Sequence, residues 1–132
     1  MQFVKVAAHG LIKKDNKYLV TKRPENDDYM PNFWDTPGGT IDFGEKILDA
    51  LNREIKEETN LTVKVGNVIF CHNHLSGEER HQFELVYACD YIGGEIKLDP
   101  EEHQDFKWVT LEEMKNLPKI AFLEELLKYL QK

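Results

Sequence analysis

The stretch GTIDFGEKILDALNREIKEETNL, residues 39–61, decides how this chain is read. From Glu45 to Thr59 it consists mostly of good helix formers, and Ile47, Leu48, Leu51 and Ile55 recur at helical spacing. On a helical wheel these four form an apolar stripe, and Glu54, Glu57 and Glu58 occupy an arc directly beside it. A solvated face would put its charges opposite the stripe and alternate their sign. Glu54 and Glu58 are instead like charges at i and i+4, an arrangement that costs the helix a few tenths of a kcal/mol. Carboxylates crowded in this way resist ionisation unless a cation sits among them, and oxygen donors select hard ions, Mg²⁺ or Mn²⁺ rather than zinc. By itself the helix leaves two readings open, a metal site and a solvated surface. Just before it, PGGTIDFGE supplies Gly38, Gly39 and Gly44, where backbone can approach an anion or turn a carbonyl toward a metal; a tight strand-to-helix turn would use them equally well. Asn60 follows where a helix often ends in a left-handed residue.

Outward from this segment, residues 3–12 and 17–22 are rich in β-branched and aromatic residues and flank the polar KKDN, which predicts two strands and a turn. The polar RPENDDYMPN is a loop broken by Pro24 and Pro31, and FWDTPGG a short strand stopped by Pro37 and the glycines. Strands are expected at about 62–72 and 81–91, with SGEER in the connection, and again at DFKWV. TLEEMKNL predicts a short helix capped by Thr110 and Glu113. A last helix over about 119–130 carries the stripe Ile120, Leu123, Leu127 and Leu130. Strands on either side of one helix, with another helix at the end, predict an α/β/α sandwich around a mixed central β-sheet.

With 132 residues, 41% hydrophobic and 31% charged, the chain is expected to form one soluble domain over residues 1–132. No apolar run approaches the length of a membrane span and no secretion signal is evident, so a cytoplasmic location without membrane attachment is expected. A net charge of −7 argues against a broad nucleic-acid surface, and any anionic ligand would need cations to help hold it. Cys71 and Cys89 lie in apolar strand-like runs without a CxxC pair and read as buried, reduced thiols.

Loop and helix together resemble the Nudix box: Gly, five residues, Glu, seven residues, then Arg-Glu-apolar-x-Glu-Glu-x-Gly-apolar. Gly39, Glu45, Arg53, Glu54, Ile55, Glu57, Glu58 and Leu61 match it, and Asn60 alone departs, in place of the final glycine. Six identities at fixed offsets would arise by chance with a probability on the order of 10⁻⁵. The resemblance implies a metal-dependent pyrophosphohydrolase acting on a nucleoside diphosphate linked to another group. Glu54, Glu57 and Glu58 would then hold Mg²⁺ (Mn²⁺ as substitute) with the carbonyl of Gly38, and Glu45 would pair with Arg53. In EHQDFKWV, Glu102 would complete the metal site or act as base, with Glu101 and His103 as neighbours easily mistaken for it. Either Glu54 or Glu102 would orient or deprotonate the attacking water.

Gly38, Gly39 and Arg23 are the expected substrate contacts; Arg23 ends the second strand before the loop, a position that touches substrate in the nucleoside-triphosphate branch of the family, and it could equally be a surface arginine. Trp34, Phe33 and Phe83 could stack a base, although aromatic residues in strands more often fill the core. His72, His74 and His81 could hold zinc but lack a fourth ligand at a recognisable spacing. The proline that marks the ADP-ribose branch and the tyrosine of the dinucleoside-polyphosphate branch are both missing around residues 76–79. By elimination the expected reaction is hydrolysis of a (deoxy)nucleoside triphosphate to the monophosphate and pyrophosphate, by a monomer or homodimer. ADP-ribose, nucleotide-sugar or dinucleoside-polyphosphate hydrolysis, or a non-catalytic nucleotide-binding module, are the alternatives.

Overall fold

In the computed structural model, which describes residues 1–131, the chain runs β1 (Phe3–Lys14), β2 (Lys17–Lys22), β3 (Trp34–Asp35), β4 (Gly38–Thr40), α1 (Ile47–Thr59), β5 (Thr62–Ser76), β6 (Arg80–Gly93), β7 (Asp105–Val109), α2 (Leu111–Met114) and α3 (Ala121–Leu130). The strands form a mixed sheet in the order β3-β2-β1-β6-β5, with β7 added to β2 and β4 to β1. Only β1 and β6 run parallel among the paired strands described. One edge of β1 is shared: its end pairs with β2 through Lys13 and Lys14, while its middle pairs with β4 through Ala7, Ala8 and His9. The Gly38–Gly39 backbone is thereby stitched beside His9.

Alternation along the strands sends side chains into two cores. Ala8, Ile12 and Leu19 meet Leu51, Ile55 and Leu61 on the α1 face. Leu11, Val20 and Val86 meet Phe122, Leu123, Leu126 and Leu127 on the α3 face. The sandwich expected from the sequence is therefore present. Gly10 allows α1 to lie close, because a Cβ there would stand 2.8 Å from Ile55 Cδ1.

Several local expectations change. Helix α1 starts at Ile47 rather than Glu45, because the Glu45 carboxylate is engaged by the Asp42 N–H at 2.9 Å and by Arg53. Leu48, in the first turn, is 46% exposed, so burial rests on Ala50, Leu51, Ile55, Glu58 and Thr59. Cys71 is exposed, contrary to the buried reading; it lies on the edge strand β5, which has a neighbour on one side only, whereas Cys89 on the interior strand β6 is buried. The capping of α2 is as expected: Thr110 Oγ1 accepts from the Glu113 N–H and Glu113 returns the bond to the Thr110 N–H, both at 3.1 Å.

Candidate active site

Asn60 closes α1 in the left-handed conformation (φ 67°), which turns the chain sharply into β5 and leaves the acidic last turns of the helix against β4. Gly38 is required there, and Gly39 leaves room for the Glu54 carboxylate. A Cβ on Gly38, whose φ is +154°, would meet the Ala8 carbonyl oxygen, and one on Gly39 would lie 2.9 Å from the Glu54 carboxyl carbon. The glycines thus let backbone and carboxylates approach closely. The Gly38 N–H donates to Glu58 Oε2 at 3.2 Å.

Glu58 is 3% exposed. It sits within the buried face of α1 rather than beside it, a correction to the wheel. Burial first, then the charges of Glu54, Glu102 and Asp35, push its pKa up to about 9. The His103 ring lies 3.6 Å away, buried and held neutral: desolvation, with Arg23 nearby, lowers its pKa to about 4. Glu102 is also raised, by burial and then by Asp99 and Glu54. These carboxylates resist sharing one space as anions.

Glu54 and Glu57 are held differently. Arg53 Nη2 binds Glu45 Oε2 at 2.9 Å, as expected for a supporting pair, while its Nη1 reaches Glu54 at 3.2 Å and Glu57 at 3.3 Å. Among the described residues no three His, Cys, Asp or Glu side chains are drawn together tightly enough to hold a metal, which applies equally to His72, His74 and His81.

A cleft of about 310 Å³ opens between the sheet and the start of α3. Of the residues expected at the site it is lined by Arg23, Gly38, Gly39, Glu58 and Glu102, while Arg53, Glu54 and Glu57 stand outside its walls. Arg23 is not a free cation. It donates to Asp35 at 3.0 Å, to Asp27 at 2.9 Å and to the Tyr29 carbonyl at 2.8 Å, tying the 24–33 loop to the sheet. Trp34 is 4% exposed and belongs to the core; neither it nor Phe33 nor Phe83 lines the cleft.

The remaining walls were not foreseen. His9, Asp35 and Glu84 are buried polar residues within strands, and Phe122 packs on the His9 ring at 4.3 Å between centroids. His9 Nε2 donates to Glu84 Oε2 at 2.7 Å. Burial opposes a charge on His9, but the Glu84 bond together with Asp35 outweighs it and raises the pKa. Asp35 is raised by its own burial, against the pull of His9 and Arg23. The available signal was a lone polar residue inside an apolar run, VAAHGLI and FELVY, which by itself does not tell a site from a satisfied core pair.

An acidic helix face whose innermost member, Glu58, is buried against a Gly-Gly strand at a polar cleft matches the arrangement that the box resemblance implies, and comparison with known proteins supports the family. The NUDIX domain family model matches residues 1–130, so the chain belongs to the Nudix family and is a pyrophosphohydrolase. It is 38% identical over 121 residues to an ADP-ribose pyrophosphatase of Methanocaldococcus jannaschii, covering 91% of this chain and 68% of the relative. It is 31% identical over 114 residues to the nucleoside triphosphatase NudI of Escherichia coli, covering 79% of this chain and 80% of the relative. Among solved structures, a MutT protein from Methanosarcina mazei Go1 superimposes with a TM-score of 0.86 at 25% identity, over 97% of this chain and 93% of that one.

Proposed function

We propose that the protein hydrolyses a nucleoside triphosphate to the monophosphate and pyrophosphate, with Mg²⁺ held by Glu54, Glu57, Glu58, Glu102 and the Gly38 carbonyl. The observation that carries this reading is Glu58: a buried carboxylate facing the charges of Glu54 and Glu102, with a neutral histidine and one backbone N–H but no cation beside it among the described residues, calls for a cation. The donors fit Mg²⁺ chemically, since all are oxygens. To bring Glu54 and Glu57 to the ion, Arg53 would yield its two longer contacts and keep its bond to Glu45. Bound Mg²⁺ would neutralise phosphoryl charge and make an attacking water more acidic.

The other tasks fall to the chain itself. Glu102 lines the cleft and its pKa is raised, which suits a base that takes the water proton as the water oxygen bonds to phosphorus and the anhydride P–O bond breaks. Glu54, outside the cleft walls, is the less available of the two candidate bases. Arg23 acts through Asp35 and the loop, as a positioning residue.

The missing branch markers and the NudI relative support the triphosphate. The more similar M. jannaschii relative favours ADP-ribose as a second reading. Incubation with triphosphates, ADP-ribose, nucleotide sugars and dinucleoside polyphosphates in Mg²⁺, with products identified by mass, decides between them. Monophosphate and pyrophosphate from triphosphates are expected; turnover of ADP-ribose alone would replace the first reading by the second.

A further inference from the structure

Beyond the carboxylates, the cleft contains a second polar constellation that phosphate chemistry does not use. Glu84 is 9% exposed, one of its oxygens takes the 2.7 Å bond from His9, and among the described residues the other has no partner. Glu84 and Gln82 alternate onto one face of β6, and His74 lies directly across from Gln82 on β5. All three line the cleft; the Gln82 amide makes no side-chain bond among the described residues, and the His74 Nδ1 is buried without a partner. The His74 Nδ1, buried and open in this way, asks for a ligand or water, and the free oxygen of Glu84 and the half-buried Gln82 amide face the same cleft.

Register places this constellation relative to the Gly-Gly strand. Gly38 is opposite His9 and Glu84 is opposite Ala7, on the two edges of β1. Two residues along and two strands across put Glu84 roughly 12 Å from Gly38, Cα to Cα. That is comparable to the reach from a 5′-phosphate across the sugar to the far edge of a base.

Resting on the nucleotide reading of this cleft, we propose that Glu84, fixed by His9, reads the Watson–Crick edge of the base and selects guanine. A carboxylate only accepts, so it favours an edge with two adjacent N–H donors. Guanine presents N1–H and N2–H₂ side by side, and its O6 would face the Gln82 amide. Adenine and cytosine each place a ring-nitrogen acceptor beside their amino group, and uracil flanks its one N–H with two carbonyls, so each sets a lone pair against the carboxylate. A good bidentate contact of this kind discriminates by about 1–3 kcal/mol, or roughly 5- to 150-fold.

The test is calorimetric binding of GMP, AMP, CMP and UMP to the wild-type protein and to Glu84→Gln. Wild type is expected to bind GMP at least about fivefold tighter than the others, and Glu84→Gln to bring the four within about twofold. Equal binding by wild type, or an unchanged GMP ratio in Glu84→Gln, overturns the proposal. So does a uniform loss for all four, which is what a structural role would produce. If Glu84→Gln fails to fold, Glu84→Asp keeps the charge pair with His9 but withdraws the acceptor; its GMP ratio should fall, and an unchanged ratio is equally fatal. Because monophosphate binding requires no turnover, a failure of hydrolysis leaves this test standing, and hydrolysis without base preference sinks this proposal alone.

Discussion

At the scale of single residues, Glu58 concentrates the argument. Its carboxyl is buried, faces other acids and has a pKa near 9 in the metal-free protein, far above the ordinary value of 4.5. Between those two values the folded state holds a proton that the unfolded chain has released, so stability is fully present below about pH 4.5 and is lost as pH rises through about 9. The melting temperature in EDTA should therefore fall across this window, and Mg²⁺ should restore progressively more of it at higher pH. Glu58→Gln should flatten the EDTA profile; a wild-type profile that is already flat would contradict the assignment. Glu57→Gln or Glu58→Gln should also lower turnover by at least about a hundredfold at saturating Mg²⁺, and unchanged turnover in both would remove the metal-site reading. Gly39→Ala tests the same place through space alone. Its methyl would press on the Glu54 carboxyl carbon, so activity should drop about tenfold or more while the Glu45–Arg53 pair is left untouched.

At the scale of elements, α1 is defined by how it ends. Asn60 adopts the left-handed conformation at φ 67° and its side chain donates to the Glu95 carbonyl at 3.1 Å. Asn60→Ala should cost about 1–2 kcal/mol in urea unfolding, whereas Asn60→Gly should stay within about 0.5 kcal/mol of the parent, because glycine recovers in conformational freedom what the lost bond removes. This is the one position where the chain departs from the Nudix box, and the geometry shows why asparagine serves there. The start of α1 was less legible. Glu45 reads as a helix former but spends its carboxylate on the Asp42 N–H and on Arg53, which holds it outside the helix. In the folded strands His9 and Glu84 point away from the α1 core, and nothing local in the sequence says that a parallel pairing of β1 with β6 brings them into contact.

For the molecule as a whole, stability is divided between the two faces of the sheet. Ile55 packs in one core and Leu123 in the other, and both are fully buried. Each truncation to alanine should cost about 2–5 kcal/mol, and the double variant should show the sum, since the two sites share no partners; denaturant titration of the four proteins checks it. Spacing along the chain was enough to determine the sandwich, the acidic helix, its left-handed end and the family, because helical and strand periods and the box offsets are local properties of sequence. The tertiary structure alone decided that Glu58 is buried inside the helix face, that Arg23 is already neutralised by Asp27 and Asp35, that Cys71 faces outward, and that His9 and Glu84 meet 75 positions apart on the cleft floor. Each of these depends on which strands become neighbours and in what register. That is set by the burial of two whole cores, and no stretch of the sequence records it by itself.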